Sequence, residues 1–161
     1  MGTIVPRLEI GVLLSVPRAE GKKIVFTNGC FDLIHTGHIT YLQKARALGD
    51  LLVVGLNSDS SVRRIKGDLR PILSEDERAA ILAAFWFVDF VVIFDEPDPL
   101  AIITEVEPDY LVKGADWAID KVIGREFVEA RGGHVIPIDL VPGRSTTDII
   151  KTIVERYCPR T

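Results

Sequence analysis

The chain has 161 residues, of which 47% are apolar and 26% charged, with a net charge of −4 and two cysteines. That length suits one domain that buries a core without disulfides or metals, and the composition excludes disorder. The acidic balance argues against a general nucleic-acid binder, and the longest apolar stretch, Phe85 to Phe94, is broken by Asp89 and too short to span a membrane.

Residues 1–21 read as a weakly patterned leader, one short helix or strand ending at Gly21. Pro6, Arg7 and Glu9 interrupt any signal-peptide pattern there. From Lys22 onward, short β-branched runs predict buried parallel strands at Ile24–Thr27, Leu51–Leu56, Phe90–Phe94, Tyr110–Lys113 and Val135–Ile138. Amphipathic helices are expected between them. One spans about His38 to Leu48, with Ile39, Leu42, Ala45 and Leu48 on one face. A second starts at Ser74, where Ser74 and Glu77 form a capping-box pattern. A third opens at Asp98-Pro99, a cap residue followed by proline in the first helical position, and the last follows Ser145. This alternation predicts an α/β domain, a Rossmann-like parallel sheet of about five strands flanked by helices. Ligands in such sheets bind at the carboxyl ends of strands.

The first of those ends reads Thr27-Asn28-Gly29-Cys30-Phe31-Asp32, then His35-Thr36-Gly37-His38 opening a helix. Gly37 allows close backbone approach, and a helix N-terminus offers free N–H groups to an anion. Two imidazoles three positions apart can face the same phosphate. Spacing alone explains His35 and His38 equally well as loop and cap residues. Zinc is disfavoured, because no further His or Cys cluster completes a ligand set, and Cys30 and Cys158 form no metal or redox spacing. Two thiols without a pairing pattern fit a reducing cytoplasmic setting.

Further candidates follow. Asn57, Ser58 and Asp59 end the second strand and are turn and cap types, yet stand where sugar hydroxyls could be read. Arg63, Arg64, Lys66 and Arg70 place four cations within eight positions, and Lys66-Gly67 ahead of Arg70-Pro71 looks like an anion clamp in a loop. Lys113-Gly114-Ala115-Asp116 ends the fourth strand, while Arg144-Ser145-Thr146-Thr147 opens the last helix. Trp117 suits packing better than stacking on a ligand, and Phe85, Trp86, Phe87 and Phe90 suit the core. The motifs of P-loop kinases, dinucleotide-binding enzymes and serine hydrolases are missing.

The His35–His38 run resembles the His-x-Gly-His signature of the cytidylyltransferase-like nucleotidylyltransferase superfamily. From Lys22 to about Tyr157 the chain is most similar to its heptose 1-phosphate adenylyltransferases. Gly55 to Asp59, Ser61 to Gly67, Arg70 to Ile72, Glu77 to Ala80, Val112 to Asp116 and Pro142 to Thr147 carry the likeness. The resemblance implies a nucleotidylyltransferase domain over residues 22–161 that moves AMP from ATP to D-glycero-β-D-manno-heptose 1-phosphate for lipopolysaccharide inner-core synthesis. It implies His35, His38, Lys66 and Arg63 in catalysis. It places Thr27, Asn28, Gly29, Cys30, Phe31, Gly37, Lys113, Gly114, Asp116, Arg144, Ser145, Thr146 and Thr147 at the nucleotide, and Asp32, Asn57, Asp59 and Arg78 at the sugar phosphate. Asp32 could instead orient a neighbour, and Arg78 could simply pair with Glu75. Mg²⁺ is expected on the triphosphate, with no protein metal site, no nucleic-acid partner and no membrane. A homodimer is expected from the family, and a separate heptose kinase and phosphatase would supply the acceptor. Two alternatives stay open. One is a cytidylyltransferase acting on glycerol 3-phosphate or ethanolamine phosphate, the other a nucleotide-binding module without catalysis.

Overall fold

The computed structural model describes residues 1–115, 118–141, 143 and 145–158. In chain order it holds β1 (Thr3–Ile4), α1 (Ile10–Ala19), β2 (Ile24–Gly29), α2 (Thr36–Arg46), β3 (Leu51–Asn57), α3 (Asp59–Lys66), α4 (Glu75–Ala83), β4 (Phe90–Phe94), α5 (Leu100–Val106), β5 (Tyr110–Gly114), α6 (Arg125–Ala130), β6 (His134–Ile138) and α7 (Thr146–Tyr157). All strand pairings are parallel, in the order β1-β4-β3-β2-β5-β6.

The apolar runs form strands because both faces of the sheet are covered, so alternate side chains enter two different cores. Val25, Leu52, Val54 and Val91 point into one core with Leu42 and Ala45 of α2 and Leu82 of α4. Ile24, Phe26, Val53 and Val92 point into the other with Ile10 and Leu14 of α1, Ile102 and Ile103 of α5 and Val128 of α6. Ile24, Phe26, Leu52 and Leu56 have no exposed surface. Each such side chain contributes ~1.5–3 kcal/mol by burial.

The five expected strands are present, each within two residues at either end. The sheet has a sixth. Residues 1–21 supply β1, which pairs Thr3 with Phe90 and Ile4 with Val91, and α1, which seals one face through Ile10 and Leu14. Ser74 makes the expected capping box with Glu77. The helix expected from Pro99 begins one residue later, with Pro99 as its N-cap and the Asp98 carboxylate accepting from Leu100 N–H. Helices α3 and α6 come in addition to the expected ones.

The topology positions the site. From β2 the chain moves outward through β3 to β4, then returns past β2 to lay β5 on its other side. Connections therefore diverge at the carboxyl ends of β2 and β5, which opens a crevice there. Among the described residues no helix is long and apolar enough to cross a membrane.

Candidate active site

A cleft of about 630 Å³ lies over that divergence. Its floor is Asn28 and Gly29 from the end of β2 and Lys113 and Gly114 from the end of β5. One wall carries Asn57, Ile65, Lys66 and Arg70, with Pro97 and Pro99 beside them; the other carries Val122, Ile123, Leu140, Val141, Ser145, Thr146 and Thr147. His35, Gly37, His38 and Tyr41 project from the start of α2.

The turn after β2 is built by Phe31, which sits in the left-handed region at φ 43°. A Cβ on Gly29 would come within 3.1 Å of the Phe31 ring, so a larger residue there would press on the ring where it folds back. The same turn leaves the ring centroids of Phe31 and His38 5.3 Å apart and directs Asp32 into the protein, where it is buried.

His35 is the N-cap of α2 and makes no side-chain cap bond. Its ring stacks on His38, with centroids 3.9 Å apart and planes 25° from parallel. Burial pushes the His38 imidazole down to about 4, with repulsion from His35 adding to it, so His38 is neutral at pH 7. Its Nδ1 is buried without a hydrogen-bond partner among the described residues. Beneath them Tyr41 OH pairs with Thr27 Oγ1 at 2.7 Å, which makes Thr27 a buried support for the helix rather than a lining residue.

Across the floor, Lys113 Nζ donates to Asn28 Oδ1, a neutral acceptor. No carboxylate pairs with this ammonium among the described residues, and burial pulls it down to about 8. A buried cation lacking a counter-charge is poised for an anion. Ser145 caps α7 by accepting from Asp148 N–H at 3.1 Å, and Thr146 Oγ1 donates to Leu33 O at 3.3 Å, while both residues still line the cleft.

Several expected site residues stand elsewhere. Arg63 faces a second cleft with Asp59, Ser60, Glu75 and Asp95, because α3 lies between the two and turns only Ile65 and Lys66 toward the first. Arg78 is fully buried. Its guanidinium donates to Leu73 O (3.0 Å), Cys30 O (2.6 Å), Asn57 O (2.8 Å) and Asp59 Oδ1 (2.8 Å), tying the ends of β2 and β3 to the loop before α4, and it does not line the cleft. Asp59 is occupied by Arg78, and Glu75 instead accepts from Asp59 N–H. Asn57 does line the cleft, with its Nδ2 on Ser61 Oγ at 3.0 Å. Asp32 spends its carboxylate on Arg70, Ile72 N–H and Leu73 N–H, which is the orienting role rather than the sugar-binding one. Cys30 lines the cleft with its thiol pushed up by burial, unlike an activated nucleophile. Asp116, Trp117, Pro142 and Arg144 lie outside the described residues. Trp86, expected in the core, is 78% exposed.

The sequence placed Arg70 in an anion clamp without naming it as a site residue, and assigned no role to Tyr41 or to the apolar wall of Val122, Ile123, Leu140 and Val141. Arg70 had a visible signal, a cation at the end of the Lys66-Gly67 segment; the wall had none. Among the described residues no cluster of three or more His, Cys, Asp or Glu side chains could hold a metal ion.

The cytidylyltransferase-like family model matches residues 26–152, which include both histidines and the floor of the cleft. The chain belongs to that family. It is 60% identical over 145 residues to the bifunctional protein HldE of Syntrophotalea carbinolica, and 61% identical over 139 residues to HldE of Citrifermentans bemidjiense. These matches cover 90% and 86% of this chain but only 30% and 28% of the relatives, so the chain spans under a third of their length. Among solved structures it resembles a lipopolysaccharide core biosynthesis protein from Thermoplasma volcanium, with a TM-score of 0.62 and 32% identity over 75% of this chain and 98% of that one.

Proposed function

We propose that this nucleotidyltransferase moves AMP from ATP to D-glycero-β-D-manno-heptose 1-phosphate, giving ADP-heptose and pyrophosphate. One observation carries the reading: a cleft at the β2/β5 divergence joins a stacked histidine pair at a helix N-terminus to the buried ammonium of Lys113, which pairs with no carboxylate among the described residues. The identity to HldE proteins and the likeness to a lipopolysaccharide core biosynthesis protein of Thermoplasma volcanium support a sugar phosphate of lipopolysaccharide synthesis as the acceptor.

The acceptor phosphate is a dianion above its second pKa of about 6, so no general base is needed. Its oxygen attacks the α-phosphorus, the bond from that phosphorus to the α,β-bridging oxygen breaks, and pyrophosphate carries the electron pair away. Positioning and charge stabilisation are what the protein supplies. His35 and His38 donate to α-phosphoryl oxygens as negative charge gathers on them. Lys113 meets the nucleotide phosphates from the floor, and the first turn of α7, with Ser145, Thr146 and Thr147, faces them from one wall. Lys66 approaches from the opposite wall. Among the described residues the cleft's one buried carboxylate, Asp32, is already engaged, which fits Mg²⁺ arriving on the triphosphate rather than on protein ligands. When bound there, Mg²⁺ supplies charge neutralisation of the β- and γ-phosphates.

A pyrophosphate-release assay crossing ATP and CTP with heptose 1-phosphate, glycerol 3-phosphate and ethanolamine phosphate tests this. Turnover is expected with ATP and the heptose phosphate. Turnover only with CTP and an alcohol phosphate would replace the substrates. ATP binding without turnover on any acceptor would leave a binding module.

A further inference from the structure

Asp32 is a fully buried carboxylate whose oxygens all serve one loop. Oδ1 accepts from Ile72 N–H at 2.8 Å and Leu73 N–H at 3.0 Å, and Oδ2 accepts from Arg70 Nε at 2.5 Å. The loop leaves α3 through Gly67, whose φ of 91° suits glycine, and Arg70 N–H closes back on Gly67 O at 3.0 Å. Its far end is held by Arg78, which donates to Leu73 O. The segment is thus pinned at both ends with its tip, Leu69, 92% exposed.

Within this segment Arg70 lines the cleft. Only its Nε is engaged; its two terminal nitrogens make no hydrogen bond among the described residues. An arginine held by Nε presents its outer edge as a planar, two-pronged donor, the geometry that binds a phosphate bidentately. The fork stands beside Lys66, on the β3 side of the histidine pair, whereas Lys113 and Ser145 to Thr147 stand on the β5–β6 side. Two polyanions that must meet at the histidines need cations on both sides.

We propose that Arg70 binds the phosphate of the acceptor and that Asp32 is the positioning residue that aims it. This rests on the transfer reaction proposed above. Turnover by the unmodified chain is measured first, because its absence would overturn that reaction and this assignment with it. Given turnover, Arg70→Met should raise the acceptor KM about 10- to 100-fold, the weight of hydrogen bonds to a charged group, and leave the KM for ATP within about twofold. Arg70→Lys, which keeps the charge and loses the fork, should fall between. Asp32→Asn should raise the acceptor KM in the same direction, but add nothing to it in an Arg70→Met background. A rise in the ATP KM instead, or an equal rise in both, would overturn the assignment. So would a full Asp32→Asn effect without Arg70, since a merely structural carboxylate acts regardless of that side chain. If Asp32→Asn fails to fold, the two Arg70 variants decide alone.

Discussion

Replacing Arg78 with lysine keeps a positive charge but removes the planar group that ties Leu73, Cys30, Asn57 and Asp59 together. A single ammonium can reach one or two of those four acceptors, so at least two buried or half-buried groups lose that donor. Each lost bond from a charged donor costs ~1.5–3 kcal/mol, and partial recovery by the ammonium brings the expected total to ~3 kcal/mol. That is a large share of the ~5–15 kcal/mol that holds a domain of this kind together. Urea unfolding followed by circular dichroism reads it. With a slope of ~2 kcal/mol/M, the midpoint should drop by ~1.5 M. Below the transition, KM values for both substrates should move together and only a few-fold. Unchanged stability with a selective rise in the acceptor KM would refute the structural role and return Arg78 to the substrate.

Three further outcomes are expected. His35→Ala and His38→Ala should each lower kcat by ~10²–10³ with the fold intact by circular dichroism, as loss of donors to a developing oxyanion does; a loss confined to KM would assign them to ground-state binding only. Because Lys113 is pulled down to about 8, the free protein loses that proton as pH rises through 8, and a bound phosphate favours its return. Calorimetry of ATP binding at pH 8.5 in buffers of different ionisation enthalpy should therefore show proton uptake, absent in Lys113→Met. The depressed His38 binds fewer protons folded than unfolded between pH 4 and 6.5, so stability falls as pH drops through that window. His38→Asn should flatten this part of a plot of urea midpoint against pH, and an unchanged slope would show that another group titrates there.

How much of this was legible in the sequence follows from contact range. Strands β2 to β6 announced themselves because a parallel strand covered on both faces is a continuous apolar run. β1 did not, since two exposed residues carry no such run and its pairing with β4 spans more than 80 positions. The histidine pair was legible because one helical turn brings His35 and His38 together locally. The roles of Asp32 and Arg78 were not, as their partners lie up to 48 residues away. A carboxylate reads alike in sequence whether it faces a sugar or a backbone N–H. Arg63 and Lys66 likewise look equivalent in a run of cations until α3 sends them to different clefts.

Central to the proposed mechanism is direct attack by the acceptor phosphate on the α-phosphorus of ATP. The measurement that tests it uses heptose 1-phosphate with ¹⁸O in its phosphate, ATP and Mg²⁺, and follows the label in both products by mass spectrometry. Direct attack predicts all of the ¹⁸O in ADP-heptose and none in pyrophosphate. Label in pyrophosphate, or no ADP-heptose at all, would contradict it.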